Sequence, residues 1–424
     1  MGYKELLADN RDFRNLWFGQ LVSEIGDWFN NIALLAIVIE LTNSSAVAIA
    51  LYVIARHLPL FIFGPIAGVV SDRLSRRGIM IAADLVRAGL ALSFILVHSR
   101  QDLWIVYAST GALTVLSVFF TAAKQASIPN VVARRHLLIA NALSNSTTGL
   151  TLAVGSGLGG IVATQFGRNP VFVLNSISFL FSFLMILLIH IPQPSKTAIK
   201  ARKSMVLSSW HEFRDGLSYI RSVPIVFALM WLTAGWSFGN GAARVVYPIF
   251  GSAFARAEHR TDDFGISVLY VAMGLGSVLG TLVVGRFLKL EDSDLTRTLG
   301  LAVLWDGLCL VLFSMMQMLW MGALLMLLRE VGYSVWRTAK HTELMRETVD
   351  SMRGRVFAMH ETISALLMML TMVLAGPAID RVGHRIVTAT AGTIITAAGI
   401  IWMTTVATSR GYLARRQTAG IDRG

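Results

Sequence analysis

Cysteine is almost missing from this chain of 424 residues: the single Cys309 lies inside an apolar run, so no intrachain disulfide forms and its role is packing. Charge is scarce too. Charged residues make up 15% of the sequence and hydrophobic ones 54%, whereas charged residues are about a quarter of an ordinary soluble domain. That balance excludes a water-soluble globule. No Gly-x-x-x-x-Gly-Lys-Ser/Thr loop is present, which argues against ATP as the driving force. The nine histidines are scattered, without a His-x-x-x-His pair or a Cys/His cluster, so neither a metal site nor an enzyme is expected. The net charge of +12 never gathers on one soluble face with interleaved aromatics, so nucleic acid is not an expected partner.

What the chain has in quantity is apolar runs long enough to cross hydrocarbon, which takes about 20 helical residues. Twelve spans are expected, at 13–41, 45–70, 79–97, 103–122, 138–163, 170–191, 224–250, 264–288, 298–315, 319–339, 356–378 and 385–407. Between the second and third stands Gly68-Val-Val-Ser-Asp72-Arg73-Leu-Ser-Arg76-Arg77. A carboxylate and three arginines so close together fit only a loop leaving the hydrocarbon, since each charge at mid-bilayer costs about 3 kcal/mol on insertion scales.

Excess Lys and Arg mark the cytoplasmic face. Loops on the Asp72 side also hold Lys124, Arg134, Arg135, Lys196, Lys200, Arg202, Lys203, Arg214, Arg221, Arg286, Lys289, Arg297, Arg337, Lys340, Arg346, Arg353 and Arg355. The opposite loops offer only Arg100, Arg168, Arg256, Arg260, Arg381 and Arg385. Both termini are therefore expected in the cytoplasm. The first span is too long and too punctuated by polar residues for a cleaved signal peptide.

A polar stretch divides the chain into an N-terminal six-helix half (1–191), a cytoplasmic amphipathic linker (192–223) and a C-terminal six-helix half (224–424). Trp210, Phe213, Leu217 and Ile220 recur at helical spacing and place the linker along the inner interface. The halves echo each other: the fifth span ends Gly159-Gly160 and then Gly167-Arg168, the eleventh Gly376-Pro377 and then Gly383-His384-Arg385. Repeated halves with a site at their interface are the architecture of alternating-access carriers.

Together these residues resemble the major facilitator superfamily over nearly the whole chain. Its loop motif Gly-x-x-x-Asp-Arg-x-x-Arg-Arg/Lys is matched at Gly68, Asp72, Arg73, Arg76 and Arg77. Three segments are similar to a branch of bacterial exporters that includes macrolide efflux proteins and the enterobactin exporter. They are Phe13-Arg-Asn-Leu-Trp-Phe-Gly-Gln-Leu-Val-Ser-Glu-Ile-Gly-Asp27, Ala123-Lys-Gln-Ala-Ser-Ile-Pro129 with Asn141-Ala-Leu after it, and Arg353-Gly-Arg-Val-Phe357.

The resemblance implies an all-α membrane protein of twelve spans in a bacterial cytoplasmic (inner) membrane. It implies a secondary transporter that exports small amphipathic or drug-like solutes by alternating access, as a proton antiporter. The proton gradient is the energy source, no cofactor is expected, the partners are the small solute and the lipid bilayer, and a monomer suffices. It also implies that the Asp72 hairpin stabilises an outward-open state. Two features depart from the drug/proton antiporters of this superfamily: residues 103–122 lack their fourth-span arginine, and Gly155-Ser156-Gly157-Leu158-Gly159-Gly160 lacks the proline of their Gly-Pro-x-x-Gly-Gly. The close-packing role of Gly155, Gly159 and Gly160 survives without a kink. The alternatives are an exporter of a metabolite such as a siderophore, a lysophospholipid carrier, and a non-transporting receptor or scaffold.

Glu24 and Asp27 lie one helical turn apart on one face, with Asn30 and Asn31 a turn further on. Carboxylates within the membrane can trade protons near neutral pH, which makes this face the expected proton and substrate site. Arg56, just before Pro59, is expected to pair with one of them, and His57 to be an interior imidazole. Asp84 and Arg87, spaced i to i+3, can neutralise each other and join the Asp72 hairpin as an inner latch. In the C-terminal half the interior charges are Arg244, Asp306, Arg329, Glu330 and Glu361. Asp306 and Glu361 are expected to partner the arginine or to touch substrate. Trp28 and Trp236 head an aromatic set, with Phe29, Trp231, Phe238 and Tyr247, suited to lining a cavity for flat molecules. The run Leu366–Met372 is adaptable packing rather than a metal path.

Overall fold

Hydrocarbon offers the backbone no water to bond, so a spanning segment must satisfy its own N–H and C=O groups, and a helix does so within one segment. The computed structural model describes residues 3–191, 209–287 and 295–407, and among them no strand occurs. The helices are α1 (Tyr3–Asp9), α2 (Arg11–Leu41), α3 (Ala46–Arg73), α4 (Arg76–Ser93), α5 (Leu103–Val131), α6 (Leu137–Phe166) and α7 (Asn169–Leu187). They continue with α8 (Ser209–Ser222), α9 (Pro224–Ala257), α10 (Asp262–Phe287), α11 (Leu295–Met315), α12 (Leu319–Glu347), α13 (Asp350–Val382) and α14 (His384–Trp402).

Local chemistry sets the ends. Asn10, Ser45 and Ser75 each accept a bond from a backbone N–H of the first turn of α2, α3 and α4, filling donors that the helix itself leaves open. Gly167 and Gly383 end α6 and α13 with φ of +82° and +89°, a conformation that glycine adopts without strain. The echo between the two glycine–arginine turns is thus a repeated backbone geometry.

Each expected span coincides with a helix, but the count of twelve is not reproduced by composition. Ten helices are long and apolar enough to cross, or eleven if Gly216–Ser222 and α9, which meet at 105°, form one span. The exception is α12, whose apolar run is interrupted by Arg329 and Glu330. Several helices also outrun their apolar stretches. Lys124 lies inside α5, and Arg337, Lys340 and Arg346 lie inside α12, so these cations are not in loops as the sequence reading had it. Of the linker, 192–208 lies outside the described residues, with Lys196, Lys200, Arg202 and Lys203.

By internal packing the chain divides into two units, residues 1–204 with 247–275 and residues 205–246 with 276–424. The border therefore differs from a cut at the linker, because α9 and α10 each have one end in each unit. In the first unit α2 packs against α6 and α7, α3 against α5, and α4 against α5 and α7. In the second, α11 packs against α12 and α14.

Candidate transport site

In the first unit the polar residues of α2 divide into bonded and unbonded. Glu24 is bonded: it accepts from Gln20 Nε2 at 2.6 Å and from Thr151 Oγ1 of α6 at 3.2 Å. Buried Lys124 is a positive charge close enough to act on it. Asp27, one turn on, is half-buried and has no hydrogen bond or ion pair among the described residues. The charges that act on it are Arg87, Arg56, Glu24 and Asp84. Asn30 is buried with its side-chain oxygen unpaired, while Asn31 accepts from the Tyr52 hydroxyl at 3.0 Å.

Arg56 does not form the expected ion pair with a first-span carboxylate. Its guanidinium lies over the Trp28 ring, 5.3 Å from the centroid, where the π face attracts a cation without neutralising it. Trp28 in turn lies 5.9 Å from the Tyr270 ring. Asp27, Trp28, Asn30 and Arg56 thus come together as an incompletely satisfied polar wall with an aromatic plate. His57 Nδ1 sits 2.7 Å from the Val53 carbonyl, an ordinary interior contact.

Asp84 and Arg87 pair with each other, both buried. Arg87 is also held between the rings of Phe120 and Phe179, each at 4.5 Å, and reaches Ser117 at 3.3 Å. The hairpin bonds elsewhere. Arg76 donates to the Ala126 carbonyl of α5 at 2.7 Å, and Arg77 to the Ile186 and Leu187 carbonyls of α7 at 3.2 and 2.5 Å. Arg77 serves the C-terminal turn of α7, where the dipole favours cations, while Arg76 reaches a carbonyl further inside α5. Arg73 is exposed, Asp72 half-buried, and a Cβ at Gly68 would meet open space.

The glycine stripe of α6 does what its composition implied. A Cβ on Gly155 would come within 2.7 Å of Trp28 Cβ, and one on Gly159 within 2.8 Å of Phe29 Cα. Gly160 faces α10, where a Cβ would lie 2.2 Å from Ser267 Oγ. Backbone contact along this stripe fixes Trp28 and, beside it, Asp27.

The second unit holds its own cluster. Asp306 is fully buried, 3.1 Å from Arg329 Nε, and accepts from Trp236 Nε1 at 3.0 Å. Turned so that its oxygen faces the donors, the Asn240 amide accepts from Arg329 at 2.8 Å. Arg329 also lies 3.5 Å from Glu330, so these neighbours serve each other rather than separate faces. Trp236 stacks on Trp336 and Tyr333, with ring centroids 4.2 and 5.5 Å away. Glu361 is not interior: its side chain is 72% exposed and sits near Lys340 and His360. Of the remaining aromatics, Phe29 and Tyr247 are buried, Phe238 is half-buried and Trp231 is 66% exposed.

One constellation was missed by sequence reasoning. Arg168, at the turn between α6 and α7, donates to Glu40 of α2 at 2.6 Å and through two nitrogens to Asp263 of α10 at 2.9–3.2 Å. Beside it Arg256 donates to Asp262 at 2.7 and 2.9 Å and to Ser44 at 3.2 Å, and the Thr164 and Thr261 hydroxyls lie 3.1 Å apart. Of these groups Glu40, Arg168, Thr261, Asp262 and Asp263 border a cavity of about 590 Å³. Asp262 and Asp263 open α10, where the helix dipole already favours carboxylates, so the local sequence did not signal an arginine partner. The sequence reading counted Arg168 only as a loop charge.

The family model described as transmembrane secretion effector matches residues 7–414. Macrolide efflux protein A of Streptococcus pyogenes is 22% identical over 393 residues, covering 92% of this chain and 94% of the relative. The uncharacterized MFS-type transporter YkuC of Bacillus subtilis is 26% identical over 281 residues, 65% of each chain. The putative bacilysin exporter BacE of Bacillus subtilis is 22% identical, covering 82% of this chain and 83% of its own length. Among solved structures, a mutant of the peptide transporter POT superposes with a TM-score of 0.72 at 9% identity over 95% of this chain and 98% of its own. A mutant of the nucleoside transporter NupG gives 0.72 at 9% identity, covering 93% and 99%.

Proposed function

Because the chain belongs to the transmembrane secretion effector family of major facilitator transporters, we propose that it exports small amphipathic or drug-like solutes across a bacterial cytoplasmic membrane in exchange for protons. All twelve long helices cross the bilayer in this reading, with both termini in the cytoplasm. Relatives named macrolide efflux protein A and putative bacilysin exporter support outward movement of amphipathic molecules.

The observation that carries the proton step is Asp27. It is a half-buried carboxylate without a bonding partner among the described residues, beside an aromatic plate and an unpaired amide oxygen. Deprotonated, it attracts a cationic solute to the Trp28 face. Protonated, it loses that attraction and leaves Arg56 to repel the solute. Proton and solute then compete for one group, the minimal requirement for antiport. The Arg168–Glu40–Asp263 and Arg256–Asp262 pairs serve as the outer latch that must break for release.

The test is transport of a fluorescent lipophilic cation in proteoliposomes of wild type and Asp27→Asn. Wild type is expected to move the dye against its gradient when a proton gradient is imposed. Asp27→Asn should lose at least tenfold of that driven flux while retaining dye–dye exchange. Equal driven flux in the two proteins would remove Asp27 from the coupling step, and no dye movement by wild type would overturn the drug-like substrate class.

A further inference from the structure

Along one flank of the second unit, α13 and α14 stand apart over α9. The floor is α9, which meets α14 at backbone distance: a Cβ on Gly235 would lie 2.7 Å from Ala398 Cβ, and one on Gly239 2.5 Å from Ile395 Cγ1. It meets α13 the same way, with Gly241 against Met368 and Thr371. The gap above this floor is an apolar groove in two sections divided at Phe238 and Ile394, which line both, one of about 980 Å³ and one of about 270 Å³.

Length and position identify the occupant. The larger section runs along α9 from Phe227 to Phe238, about 16 Å at the helical rise. That is half the roughly 30 Å of a bilayer's hydrocarbon, the depth of one leaflet. Its walls belong to membrane-crossing helices, and Trp231 at its lip is 66% exposed, so what fills it in the membrane is hydrocarbon rather than water. At one end the groove is closed by Leu217 and Ile220 of α8. On that same helix Arg214 and Arg221, two turns apart on one face, are exposed and without partners among the described residues.

From an acyl-length groove that ends beside two exposed arginines, we infer that the second unit holds an anionic phospholipid. Its acyl chain lies in the groove between α9, α13 and α14, and its phosphate lies against Arg214 and Arg221. Basic side chains at the headgroup level attract anionic lipid, and the groove keeps the molecule in place. Only the leaflet, the cytoplasmic one, rests on the orientation proposed above. This lipid is a resident of the fold and not the exported solute.

The full-length protein is reconstituted into vesicles of equal phosphatidylethanolamine and phosphatidylglycerol, re-extracted in mild detergent and weighed by native mass spectrometry. Wild type is expected to retain one phosphatidylglycerol per chain. Ala234→Phe, which fills the groove, should lower retention at least fivefold, whereas Leu308→Phe, on an exposed face outside it, should not. The double variant Arg214→Gln/Arg221→Gln changes only exposed side chains, so folding is not at stake, and it should abolish the preference for phosphatidylglycerol. Lipid no more abundant than the detergent background in wild type, or unchanged in Ala234→Phe, overturns the groove assignment. Equal retention of the two lipids by wild type overturns the headgroup assignment. None of these outcomes depends on whether Asp27→Asn transports.

Discussion

Arg87 is held by four groups at once, the Asp84 carboxylate, the Ser117 hydroxyl and the faces of Phe120 and Phe179. Removing it leaves a fully buried carboxylate uncompensated, which costs about 3–5 kcal/mol where such pairs have been broken. Arg87→Leu is therefore expected to lower Tm by many degrees in detergent, and Asp84→Asn/Arg87→Leu to recover most of the loss, read by tryptophan fluorescence on heating. A pair that instead serves as a latch would alter transport before it altered stability. This pair was legible in the sequence because i to i+3 on a helix leaves two opposite charges little choice. Arg56 was not legible in the same way. Its alternatives, a carboxylate and an indole, lie on the same helix one residue apart at Asp27 and Trp28, and only the fold decides between them.

At the scale of elements, the backbone contact of Gly155 and Gly159 with α2 is what allows α2, the most buried helix of the first unit, to carry polar residues without gaps around them. Gly159→Val would drive a side chain into Phe29 Cα. We expect overpacking of about 1–3 kcal/mol or more, seen as reduced monodisperse yield, with Trp28 displaced and dye affinity reduced several-fold in the fraction that folds. Helix positions followed from apolar runs alone, since every run of sufficient length had to bond its own backbone. Helix ends did not, because α5, α12 and α13 continue through charged turns once the hydrocarbon is left behind. The arginine cluster at Arg168 was hidden for another reason. Its bonds join residues 95 and 128 positions apart, and no local pattern encodes such a separation.

For the whole molecule, the same cluster supplies a test of alternating access. The Thr164 and Thr261 hydroxyls lie 3.1 Å apart, and the native Cys309 is buried, so it gives little background in thiol chemistry. Thr164→Cys/Thr261→Cys is expected to form a disulfide on mild oxidation, to lower dye efflux at least fivefold, and to recover on reduction. Arg168→Gln should act in the opposite sense, raising the labelling rate of a single cysteine at position 164 from outside the cell several-fold. Unchanged efflux in the oxidised double cysteine would show that this end need not open.

The border between the two packing units crosses α9 between Val246 and Tyr247, and Pro248 stands inside the helix one residue further on. A proline has no N–H to offer the carbonyl four residues back, here that of Arg244. The turn at the border therefore begins with one bond fewer than its neighbours, and bending there breaks nothing that was made. The point where α9 bends most easily is thus set by the sequence, with the groove floor from Phe227 to Phe238 before it and Arg256, bonded to Asp262, after it. A turn with a missing bond stores little elastic energy when it bends, so resistance to bending α9 there falls to the side chains packed around it rather than to the stiffness of its backbone.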